Sequence, residues 1–131
     1  MQPLLATIGY FLMAVVVVLI GLGIFELMTK KYKDWEEVGA GNQAVAMSIA
    51  GKIIGICIVL SFAIYHSFTI MDTLIWGGVG VVLQMIAYLL FELFTRKFSV
   101  EDKLKENNTA IGIISMGVSI GLAFVIGASI T

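Results

Sequence analysis

Uncharged apolar stretches run from about Leu4 to Phe25, Ala44 to Tyr65, Leu74 to Phe91 and Ala110 to Ile130, and Lys52 alone interrupts them with a full charge. A helix needs about 20 mostly apolar residues to cross a bilayer. Each stretch therefore predicts one span, over about 4–28, 43–65, 73–95 and 109–130, and the fold class is an all-α membrane protein of four transmembrane helices. Polar residues collect between the spans, in loops at 29–42 and 96–108 and in a shorter connection around 66–73. The first run follows Met1-Gln2-Pro3, which lacks the basic side chain of a secretory leader, and it is too long for a cleaved apolar core. It is read as a permanent span.

Composition supports a bilayer as the solvent. Of 131 residues, 60% are hydrophobic and 13% charged, and the mean hydropathy is +1.03; a soluble domain is about a quarter charged. Charge placement adds an orientation. Seven of the eight Lys and Arg residues fall in the two loops at 29–42 and 96–108, which lie on one side of a four-span bundle. The positive-inside rule puts those loops in the cytoplasm and both termini outside. Aromatic residues suit this: Tyr10, Tyr65, Phe68 and Trp76 towards the outer interface, Tyr32, Trp35, Phe94 and Phe98 towards the inner one. A net charge of −1 with no basic surface excludes nucleic acid as a partner. The single cysteine, Cys57, is a small residue within an apolar run, and neither it nor the single histidine, His66, has the neighbours a metal site or a nucleophile–base pair needs. No cofactor and no enzymatic reaction are expected.

The chain also matches itself at an offset of 66. Phe25-Glu26-Leu27-Met28-Thr29-Lys30-Lys31-Tyr32 lies over Phe91-Glu92-Leu93-Phe94-Thr95-Arg96-Lys97-Phe98, and Asn42, Ala44, Gly51 and Gly55 lie over Asn108, Ala110, Gly117 and Gly121. Twelve of the forty positions from 25 to 64 are identical without a gap. Two units follow, 1–66 and 67–131, each of two spans. An even number of spans gives both the same orientation, so a pseudo-two-fold axis along the membrane normal is expected.

On these residues the chain resembles the bacterial membrane proteins of domain of unknown function 350, whose members carry two tandem copies of a two-helix unit. The resemblance rests on the Phe-Glu-Leu ends of the first and third spans, on Gly41-Asn42-x-Ala44 with Asn107-Asn108-x-Ala110, and on the Gly-x-x-x-Gly pairs. It implies a multi-pass protein of the bacterial cytoplasmic membrane, in an envelope-maintenance context, with no established reaction. The copies differ where Gly41 becomes Asn107 and Lys52 becomes Val118.

Several polar or small residues are candidates for a site. Gly51 with Gly55, and Gly117 with Gly121, allow close backbone approach between the second and fourth spans, within a chain or across a dimer. Asn42 and Asn108 precede apolar helices and are read as N-caps, with anion or headgroup binding as the alternative. Glu26 and Glu92 each have a basic residue four positions on, Lys30 and Arg96, a spacing suited to a surface ion pair; a proton-taking carboxylate or a docking site is the alternative. Lys52 lies ten residues beyond Asn42, which places it near mid-membrane, with Ser48 one turn earlier and Gln84 of the third span at similar depth. A Lys52–Gln84 contact is expected, and three readings compete: a polar contact that fixes packing, an ion or proton pathway, and a lysine reaching for an interface. His66 and Asp72 bracket the outer connection, where a solvated loop is preferred over a pH-sensitive or weak cation site.

Together these features suggest an envelope scaffold or partner-binding protein whose cytoplasmic loops recruit a peripheral protein or anionic lipid, in a homo-oligomer because a 14.2 kDa bundle encloses little interior. The alternative is a small oligomeric proton or cation channel or transporter built on Lys52 and Gln84.

Overall fold

A computed structural model describes residues 2–28, 34–66, 68–94 and 100–130. Among them are six helices: α1 (Gln2–Met28), α2 (Asp34–Gly39), α3 (Gln43–His66), α4 (Ile70–Phe94), α5 (Val100–Lys105) and α6 (Thr109–Ser129). Four of these, α1, α3, α4 and α6, are long and apolar enough to cross a membrane. Helix is the form a single chain segment must take there, because lipid offers its N–H and C=O groups no partner.

The ends of the helices follow from local chemistry. Pro3 sits in the first turn of α1, where its missing N–H costs nothing. At the head of α4, the Thr69 hydroxyl oxygen accepts from Asp72 N at 3.1 Å. The helix therefore begins at Ile70, a little before the expected start at 73, and Asp72 belongs to its first turn. The two cytoplasm-predicted loops are more ordered than a run of polar residues suggests, since each holds a short helix closed in the same way. Gly41 and Asn107 have positive φ, 90° and 61°. Asn42 N donates to Glu37 O at 2.9 Å and Gly41 N to Val38 O at 3.0 Å, while Asn108 N donates to Lys103 O at 2.9 Å and Asn107 N to Leu104 O at 3.0 Å. This is the Schellman pattern, in which a left-handed residue closes the last turn, and glycine and asparagine are the two residues that accept it most readily. The exchange of Gly41 for Asn107 thus preserves one backbone turn.

Helix α3 is the centre of the bundle: half of its most apolar stretch is buried, 50%, against 11% for α1. It packs along α6, with α4 and α1 against its other side. The α3–α6 contact is made nearly backbone to backbone. A β-carbon on Gly51 would lie 2.7 Å from Met116 Cα, and one on Gly112 would lie 2.9 Å from Ala44 Cα. Between them the buried hydroxyls of Ser48 and Ser115 meet at 3.2 Å, and further along Gly127 receives the Phe62 ring. Both helices run in the same direction.

These pairings are not those of a two-fold axis, which would bring equivalent faces together. The stripe Ala44, Ser48, Gly51 and Gly55 of α3 has as its counterparts Ala110, Ile114, Gly117 and Gly121 of α6, and those four are exposed. Gly117 and Gly121 have open space beside them. What α6 turns towards α3 is Gly112, Ser115, Met116 and Ser119, the counterparts of Ala46, Ile49, Ala50 and Ile53. Gly112 therefore occupies a helical position roughly 200° from that of Ala44. Near the core contact the two helices are related by a sideways shift rather than a half-turn.

A prediction separates the two glycine pairs. Gly51→Ala drives a β-carbon into the Met116 backbone and lowers the unfolding free energy of the monomer in detergent by about 1–3 kcal/mol. Gly117→Ala meets no neighbour and leaves it unchanged or raises it by up to about 1 kcal/mol through helix propensity. Thermal and denaturant unfolding followed by circular dichroism reads both.

Candidate polar centre and interhelix clamps

Lys52 is 1% exposed. Its ammonium lies 4.6 Å from the centre of the Tyr88 ring and 5.1 Å from that of Phe25, and the two rings meet edge to face at 6.0 Å. Phe25 comes from α1, Tyr88 from α4 and Lys52 from α3, so one side chain joins three spans. A desolvated cation–π contact contributes about 2 kcal/mol, comparable with the roughly 2.5–3.5 kcal/mol that a lysine costs on insertion at mid-bilayer. The rings thus offset much of the burial. Reaching for an aqueous interface is not what this side chain does.

Lys52 is level with Phe25, three residues from the described end of α1 at Met28, and α3 extends past that end of α1. Gln84 correspondingly lies one turn away from it. The Gln84 amide rests on Gly55, where any β-carbon would overlap its nitrogen, and Nε2 donates to Ser119 O at 3.4 Å. The buried Oε1 has no hydrogen-bond partner among the described residues. The contact expected between Lys52 and Gln84 carries no hydrogen bond among the described residues: Tyr88, one turn along α4, stands level with Lys52. Ser48 turns to Ser115 instead of Lys52. Three polar levels result along the bundle, the serine pair, the lysine between its rings, and the glutamine over Gly55.

The asparagines do more than cap. Asn42 Oδ1 accepts from Val45 N at 3.0 Å, and Asn108 Oδ1 accepts from Ile111 N at 3.3 Å, so both close the first turn of a span. Asn42 also donates through Nδ2 to Leu104 O at 2.8 Å and Lys105 O at 3.1 Å, and in return Ala44 N donates to Asn107 Oδ1 at 3.0 Å. The two halves of the chain are clasped at this end. Beneath the clasp Leu104 is fully buried with Ala44, Val45 and Ile49. Glu26 is half-buried. Its expected partner Lys30, the Glu92 side chain and Arg96 lie outside the described residues. At the other end His66 is exposed and stacks on Phe62 at 6.5 Å. Cys57 is exposed. Among the described residues no three His, Cys, Asp or Glu side chains converge.

Sequence reasoning missed Phe25, Tyr88, Asn107, Ser115 and Ser119. For Phe25 the signal was the repeated Phe-Glu-Leu, and for Asn107 it was the register with Gly41, a position that needs positive φ. Ser115 and Ser119 have apolar counterparts, Ile49 and Ile53, and carry no repeat signal.

Four apolar spans around a buried polar centre, with clasped short helices at one end, define a multi-pass membrane protein. The chain belongs to the family described as Domain of Unknown Function (DUF350), whose sequence model matches residues 1–130. It is 39% identical over 122 residues to the UPF0719 transmembrane protein YshE of Bacillus subtilis (strain 168), covering 93% of this chain and 90% of that one. It is 30% identical over 113 residues to the UPF0719 inner membrane protein YjfL of Escherichia coli (strain K12), covering 86% and 83%. No solved structure matches.

The two asparagines should differ in weight. Asn108→Ala removes a cap and costs about 1 kcal/mol. Asn42→Ala removes a cap and two bonds to α5 carbonyls, one buried and one partly buried, and the expected cost is about 2–4 kcal/mol. Parallel unfolding curves in one detergent test the order.

Proposed function

We propose that this chain is a membrane scaffold: a non-enzymatic multi-pass protein of the bacterial cytoplasmic membrane, with both termini outside, that assembles with copies of itself. Its charged cytoplasmic loops recruit a peripheral protein or anionic lipid. The observation that carries this reading is the setting of Lys52, whose ammonium is held by rings from two other spans and ties α1, α3 and α4 together. The exposed Trp35 on α2 supplies an apolar contact beside the charged loop. The name of the E. coli relative, an inner membrane protein, agrees with the location.

The second reading is a small proton or cation channel or transporter using Lys52 and Gln84. One observation favours it: the carbonyl oxygen of Gln84 is buried in the bundle without a hydrogen-bond partner among the described residues, an acceptor that could meet a proton-bearing or cationic guest.

Reconstitution separates the two. Liposomes containing the protein and a trapped pH dye, given a proton or potassium gradient, are expected to leak no faster than protein-free liposomes. Flux that disappears in Lys52→Leu would refute the scaffold reading and establish the other.

A further inference from the structure

The sideways relation between α3 and α6 has an unlike surface at each end, and these surfaces match. Within the chain, the stripe Ala44, Ser48, Gly51 and Gly55 is covered by α6, and the groove that α1 and α3 form beside it is filled by α4, with Gln84 against Gly55 and Tyr88 against Lys52. In the second half the same stripe, Ala110, Ile114, Gly117 and Gly121, is uncovered. The corresponding groove, between α4 and α6, is an open apolar recess of about 490 Å³ lined by Ala87, Leu90, Phe91, Gly117, Val118 and Gly121.

The first half carries the surface that would fill it. Shifting the observed contacts by 66 residues seats the α6 stripe on Ala46, Ile49, Ala50 and Ile53 of another α3, with Cys57 beyond them; Ile49 is buried against Ala44, Val45 and Leu104 of its own chain, and the other four keep part of their surface exposed. It also seats Val18 and Leu22 of another α1 in the groove, at the places of Gln84 and Tyr88. Chemistry changes in step on both sides. Where the internal joint sets Lys52 and Gln84 in the contact, the outer joint has Val118 and Val18, apolar against apolar. A third feature agrees. Asn42 Nδ2 reaches across the internal joint to the carbonyls that end α5. Its counterpart Asn108 makes its cap bond to Ile111 N and no bond through Nδ2 among the described residues. The equivalent carbonyls, Val38 and Gly39, end α2.

We infer that copies of this chain stack head to tail in the membrane, the α4–α6 face of one against the α1–α3 face of the next, by continuing the internal α3–α6 joint. Such a heterologous contact builds a closed ring or an open row, unlike a two-fold dimer. It stands independently of which functional reading holds.

The single native cysteine makes the test direct. Val59 clusters with Ala123 in the internal joint, so Val125 of one copy falls beside Cys57 of the next. Both residues are exposed, on opposite outer sides of the α3–α6 pair. In native membranes at low protein density, V125C treated with an oxidant or a short bis-maleimide is expected to give a ladder of dimers and larger species. Wild type and V125C/C57S are expected to remain monomeric, and G121L added to V125C is expected to cut the ladder at least fivefold while helicity and monomer yield are unchanged. A ladder that survives in V125C/C57S, or a dimer in wild type, would show like faces meeting and overturn the inference. No ladder in V125C would leave these faces to lipid and overturn it equally.

Discussion

The bundle depends on how closely α3 and α6 approach. In lipid no hydrophobic force draws helices together, so contact must come from packing and from polar bonds between spans. Gly51 and Gly112 remove the side chains that would hold the backbones apart. That closeness brings Ser48 to Ser115 and sets Ser119 O where the Gln84 amide can reach it. The Ser48–Ser115 pair thus depends on the β-carbons absent from Gly51 and Gly112, and the seat of the Gln84 amide on the one absent from Gly55.

The price of a lysine in such an interior is met by geometry rather than by a water-filled space. Tyr88 and Phe25 present their faces to one ammonium, and their edge-to-face contact fixes the position of each ring. Val118 stands at the equivalent position in the second half.

Much of this was legible in the sequence. Apolar runs place the spans within a few residues, because span length is set by the bilayer and charge cannot hide in it. Asn42 and Asn108 as caps, and Gly51 with Gly55 as a packing face, follow from local chemistry. Which face of α6 meets α3 was not legible: Ser115 and Ser119 have isoleucines as their counterparts, and both faces of α6 carry small residues. Nor was the level of Gln84, since an error of one turn in where α4 lies relative to α3 exchanges it with Tyr88. The short helices α2 and α5 were hidden for a different reason. Their closure relies on one backbone angle that a glycine and an asparagine both supply.

The clasp at Asn42 has a consequence for how the protein is made. Synthesis proceeds from the amino terminus, and α3 enters the bilayer before α4, α5 and α6 exist. During that interval the Asn42 amide lacks the carbonyls of Leu104 and Lys105, the small stripe of α3 faces lipid or the insertion machinery, and Lys52 has the Phe25 ring without that of Tyr88. The first half therefore lacks the partners of Asn42, Ser48 and Lys52 until Leu104, Lys105, Ser115 and Tyr88 of the second have been made.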